Sequence, residues 1–184
     1  MPLLENGRIT DDRWTEAVEG APLPDGAVIV PLERLEEGLA RAGQAPLGVA
    51  IGPDVDVGQL HHVLPRLELV AVTFATFRDG RAFTQARALR EHLSFTGEIR
   101  ATGKPLPDQY EFMLRCGMTT VKTERAEDVS VWQQAHEMFS IAYQPPSCMN
   151  ANRVWACAAF WTEGGRVPAC PIVRASKANP RNVL

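Results

Sequence analysis

Cysteine and histidine are scarce in this chain, four of each among 184 residues, and their placement argues against metal chemistry. Cys148, Cys157 and Cys170 are spaced by nine and thirteen residues, so no Cys-x-x-Cys pair exists and neither a zinc site nor a thioredoxin-like pair is expected. The histidines (His61, His62, His92 and His136) all lie upstream of these cysteines. A basic excess is missing too: 19 basic and 22 acidic side chains leave a net charge of −3, too little positive field to gather DNA or RNA, so no nucleic-acid partner is expected. The longest uncharged apolar run, 154–161, falls far short of the roughly 20 residues of a membrane helix, so no membrane partner is expected either. The opening residues lack a basic patch followed by an apolar stretch, which reads as no secretory signal and an expected cytoplasmic location. There is no Gly-x-Gly-x-x-Gly, no Walker loop and no Gly-x-Ser-x-Gly elbow. Iron–sulfur and haem ligand spacings are missing as well, so the sequence names no cofactor.

What is present is ordinary globular composition, 45% hydrophobic and 22% charged, over a length that suits one domain. Charge nevertheless divides the chain. Residues 1–144 carry 14 basic and 21 acidic side chains, whereas 145–184 carry five basic residues against Glu163 alone, with three cysteines and five prolines. We read 1–144 as a single α/β domain and 145–184 as an atypical basic tail outside the fold, expected to be loosely packed.

Within the body, strand and helix signals alternate. Residues 27–31 form a β-branched run, after which Leu32, Leu35 and Leu39 recur at helical spacing up to Gly43. A second strand at 47–51 is broken by Gly52-Pro53-Asp54, and Val57, Leu60, Val63 and Leu64 follow as a short amphipathic helix. The run 67–74 is nearly all apolar, as suits a central strand covered on both faces. After it, residues 79–95 place Ala82, Ala86, Leu89 and Leu93 on one stripe, with Asp79 positioned to cap the first turn. A fourth strand at 97–101 leads to Asp108-Gln-Tyr-Glu111, which has the form of a capping box, and to a helix that Gly117 can end. Residues 119–123 and 128–141 complete a fifth pair. About five consecutive β/α units imply a mostly parallel sheet, either open or a partial barrel, because a closed barrel of this kind needs eight.

Ligands of such sheets sit where strands end and helices begin, here the loops 76–81, 102–109 and 123–128. Arg81, beside Asp79 at a helix start, offers a planar fork to a small oxyanion; alternatively it stays in solvent next to a capping aspartate. Glu98, Arg100 and Thr102 share one strand face, so Arg100 either pairs with Glu98 or faces the same cleft as Arg81. Lys104, Asp108 and Gln109 complete the candidate anion site. Cys116 at a helix C-terminus reads as packed rather than as a thiolate, because the dipole there opposes ionisation. No residue declares itself catalytic.

The segments Phe74-Ala-Thr-Phe-Arg-Asp-Gly-Arg-Ala-Phe83, Ala86-Arg-Ala-Leu-Arg90, Gly97-Glu-Ile-Arg-Ala-Thr-Gly103, Asp108-Gln109 and Arg115-Cys-Gly117 resemble the bacterial domain of unknown function 934 family. Val30-Pro-Leu32 and Gly52-Pro-Asp-Val-Asp56 fit its opening, and Phe139-Ser-Ile-Ala-Tyr-Gln144 its close, so the resemblance covers about 25–144. Ala75 and Thr102-Gly103 depart from the family's usual Pro and Val-Gly. Members are commonly encoded beside sulfite reductase and other sulfate-assimilation genes. The resemblance therefore implies an oxidoreductase or an accessory protein in sulfite reduction, with a small oxyanion and sulfite reductase, or a related assimilation enzyme, as partners. The alternative is a noncatalytic module that binds or stabilises that enzyme. A parallel sheet with free edges also allows a homodimer.

Overall fold

The computed structural model describes residues 1–41, 45–76, 78–123 and 129–138. The tail 145–184 and residues 124–128 of the third candidate loop lie outside them. Among the described residues, eight strands form one sheet in the order β2-β1-β8-β7-β6-β5-β4-β3. They are β1 (Leu3–Glu5), β2 (Arg8–Thr10), β3 (Thr15–Glu16), β4 (Val28–Pro31), β5 (Leu47–Ile51), β6 (Leu69–Phe74), β7 (Glu98–Gly103) and β8 (Thr120–Lys122). Strands β3 to β8 run parallel in sequence order, and β1 returns antiparallel to β8. The helices are α1 (Leu35–Leu39), α2 (Arg81–Glu91), α3 (Tyr110–Arg115) and α4 (Val129–Met138). This is the mixed α/β, mostly parallel sheet that the alternating signals imply, and of the two forms they leave open, open sheet or partial barrel, it takes the partial barrel. No helix among the described residues is long and apolar enough to cross a membrane.

The curl of the sheet follows from its connectivity. Eight strands laid flat at about 4.8 Å spacing would place β2 and β3, its two edges, roughly 34 Å apart. The chain joins Thr10 to Thr15 with five residue steps, which reach at most about 18 Å. The sheet must therefore bend until its edges approach. Lys122 Nζ of β8 accordingly lies 2.6 Å from Glu16 Oε1 of β3, although four strands separate them along the sheet.

The two faces of β6 bury different partners because successive side chains alternate. Val70, Val72 and Phe74 pack outward with Ala82, Ala86 and Leu89 of α2 in the main core. Leu69 and Ala71 face inward, against Ile29 and Trp14, the latter carried by the strap 11–14 that crosses the concave side. The expected central strand is thus covered twice, by helices outside and by the strap inside.

Local details follow from residue chemistry. Gly117 ends α3 at φ +95°; its N–H donates to Leu114 O (3.0 Å) and that of Met118 to Met113 O (3.1 Å), the paired bonds of a Schellman cap. Arg90 ties the end of α2 to this cap, donating from Nε to Gly117 O at 2.9 Å and from Nη1 to Phe95 O at 2.5 Å. Val57, Leu60, Val63 and Leu64 are buried as the amphipathic pattern predicts, but in place of one helix the segment makes two 3₁₀ turns, Val57–Leu60 and Leu64–Arg66, with Pro65 inside the second. The Asp108-x-x-Glu111 capping box does not form. Residues Pro107–Gln109 make a 3₁₀ turn, α3 starts at Tyr110 without a side-chain cap, and the Glu111 carboxylate is engaged by His136.

Candidate functional site

Arg81 opens α2 directly after Gly80, which supplies no capping side chain. Asp79 does that work from one position earlier, its Oδ1 accepting the Arg81 N–H at 3.1 Å. The same carboxylate takes Arg81 Nε at 2.9 Å and Nη2 at 2.7 Å, and Asp54 accepts from Nη1. Arg81 thus lies between two carboxylates with its side chain about half exposed. Hydrogen bonds from the Arg81 side chain, then from its backbone N–H, hold Asp79 below the usual carboxylate range. Those bonds to Asp79 and Asp54 push the guanidinium up in turn.

A pH dependence with a definite sign follows. A carboxylate whose folded pKa is depressed stabilises the fold above its unfolded pKa of about 4 and loses that contribution as pH falls through the lower folded value. Asp79→Asn is therefore expected to lower the urea midpoint at neutral pH and to leave it unchanged at the acid end, where wild type and variant converge. A gap that persists undiminished into acid would show that the charge of Asp79 does not matter.

Arg100 is different in kind. Its side chain is 1% exposed and lies on the inner sheet face. Nη1 donates to both oxygens of Asp12 at 3.0 and 2.9 Å, Nε donates to Glu98 Oε1 at 3.0 Å, and Nη2 lies 2.9 Å from the same oxygen. Thr120 Oγ1 adds a bond to Glu98 at 2.5 Å. The pairing with Glu98 is the one the alternating strand suggested. Asp12, 88 residues away in sequence, comes from the strap.

The sheet does not bring the two arginines onto a common partner: Arg81 is bound by Asp79 and Asp54, Arg100 by Asp12 and Glu98. The other candidates lie along the loop after β7. Gly103 is at φ +83°, and the Lys104 N–H donates to Phe74 O at 2.9 Å, which locks the loop to the end of β6. Lys104 and Asp108 are exposed, whereas Gln109 is half-buried at the start of α3. Leu106 and Phe112 stand exposed beside them, with the Phe112 ring tilted against Phe83 at 4.7 Å between ring centres. Cys116 is buried at the C-terminal cap of α3. Among the described residues no three His, Cys, Asp or Glu side chains gather in a way that could hold a metal ion.

Sequence reasoning missed Asp54 and Asp12, the carboxylates that complete the two clusters. Asp54 had a local signal, because Gly52-Pro53-Asp54 ends a strand parallel to and beside β6. Asp12 had none, since its role depends on the curl of the sheet.

A comparison with curated proteins gives no match. A family model described as bacterial protein of unknown function (DUF934) matches residues 48–153, starting within β5 and running past Gln144. That span exceeds half of the 184 residues, and the chain belongs to this family of bacterial proteins of unknown function.

Proposed function

We propose that this protein is an accessory of sulfite reduction that handles no sulfur oxyanion itself and acts by binding sulfite reductase or a related assimilation enzyme. The assimilation context rests on the family resemblance. The reading that it handles no oxyanion rests on one observation: Arg81 and Arg100, the two candidate arginines, are each already held by two carboxylates. Either cluster, one arginine and two acids, carries a net negative charge, and a dianion added to it meets repulsion rather than a vacant fork. Exposed Leu106 and Phe112, with Lys104 and Asp108 at the same strand ends, offer the apolar and charged mixture that a protein partner uses.

Calorimetric titration separates this reading from an oxyanion-handling one. Saturable heat with sulfite reductase and none with sulfite or sulfate is the expected outcome. Saturable sulfite binding that disappears in Arg81→Ala or Lys104→Ala would overturn it in favour of a substrate site at the strand-to-helix loops.

A further inference from the structure

The Asn6-Gly7 turn between β1 and β2 is built together with a histidine that the accessory reading leaves unused. Gly7 is at φ +75° and its N–H donates to the hydroxyl of fully buried Tyr110 at 2.8 Å. A Cβ at this position would lie 3.1 Å from His136 Cδ2, so the imidazole rests directly on the turn. The ring also makes an edge contact with Tyr110, ring centres 5.6 Å apart. The Glu111 carboxylate lies 2.5 Å from His136 Nδ1. The ring is therefore fixed by three elements: the hairpin, α3 and α4.

It also lines a half-open surface cavity of about 460 Å³, bounded by residues 5–10 of the hairpin and by Gln133, His136 and Glu137 of α4, most of them exposed. That volume is in the range of small-molecule sites. We propose that His136 is the acid–base group of this cavity, its Nε2 taking a proton from the hydroxyl or thiol of a small polar molecule bound there. A carboxylate on Nδ1 selects the tautomer protonated at Nδ1 and leaves Nε2 as the acceptor. In the step, the ligand's O–H or S–H bond breaks, an N–H bond forms at Nε2, and the electron pair stays on the ligand oxygen or sulfur. Glu111 offsets the imidazolium, as the third member of a triad does. Arg8, lining the same cavity, offers the new anion a cation. Glu5 from β1 and Glu137 from α4 also line the cavity.

The test uses the full chain and needs no ligand. Long-range ¹H–¹⁵N spectra at mildly alkaline pH give the tautomer of His136, and modification by diethyl pyrocarbonate, mapped by mass spectrometry, gives the reactivity of its free nitrogen. We expect the Nδ1–H tautomer, and a reaction at least as fast as that of exposed His61 and His62 although the His136 side chain is only 31% exposed. Glu111→Gln should slow modification of His136 by about three- to tenfold, the difference between a charge-assisted and a neutral hydrogen bond, and leave His61 and His62 unchanged. A proton on Nε2 in the native protein overturns the proposal, as does a His136 rate below those of the exposed histidines or one indifferent to Glu111→Gln. If that variant does not fold, the native tautomer and relative rates still decide.

Discussion

Arg100→Ala is expected to lower the stability of the fold by about 3–5 kcal/mol, the usual consequence of removing one partner from a buried ion pair. The guanidinium is 1% exposed and serves two carboxylates. Without it, Glu98 and Asp12 face each other across the concave side with no cation between them. Thr120, which donates to Glu98, supplies one hydrogen bond but no charge. The strap carrying Asp12 would lose its anchor on β7 and keep Trp14, the Arg13 pair to Glu68 and the Lys122 pair to Glu16. Arg13–Glu68 is exposed on both sides and holds little. The same physics predicts rescue. Replacing all three charges, Asp12→Asn with Glu98→Gln and Arg100→Met, removes the desolvation cost along with the attraction and should recover most of the loss. Urea unfolding of wild type, single and triple variants measures both effects. A triple variant no better than Arg100→Ala would mean that uncompensated charge is not the source of the lost stability, since the triple variant removes both unpaired carboxylates and refills the space with Met.

Gly103→Ala is the second large effect, about 3 kcal/mol, from two sources that add. At φ +83° an L side chain costs about 1–2 kcal/mol, and the new Cβ would lie 2.4 Å from Phe74 O. That oxygen is backbone and accepts the Lys104 N–H, so relief means pulling apart the ends of β6 and β7. Gly26→Ala is the control, since nothing stands within 4 Å of the Cβ it would gain, and it should stay within about 0.5 kcal/mol of wild type. If the Gly103→Ala midpoint in urea moves no more than that of Gly26→Ala, the loop after β7 is not pinned to β6. Because this loop carries Lys104, Asp108 and exposed Leu106, the same variant should also weaken capture of a partner enzyme at that surface.

The parallel half of the fold was legible because its signals are local. A buried strand such as Leu69–Phe74 is a continuous apolar run, and α2 shows its stripe of Ala82, Ala86 and Leu89 within two turns. The three N-terminal strands escaped because each is three residues or fewer and, unlike the equally short β8, none follows a helix stop within the β/α alternation. Asn6-Gly7 was the available sign, since both residues take positive φ, as a tight hairpin turn requires. Local pattern also misled at Glu111. Its spacing from Asp108 matches a capping box, yet Pro107 starts a 3₁₀ turn and Glu111 reaches His136 on another helix.

The amino-acid order alone determined the succession of β/α units, the burial of their apolar stripes and the glycine that closes α3, because each depends on neighbours within a few residues. It also placed Glu98 and Arg100 on one face, since alternation along a strand is a property of the backbone. Tertiary structure decided whom those charges meet. Asp12 reaches Arg100, Glu16 reaches Lys122 and Glu111 reaches His136 only because a short strap draws the sheet's two edges together and α4 packs onto α3. Such meetings depend on curvature and packing accumulated over the whole chain, and no window of sequence contains them.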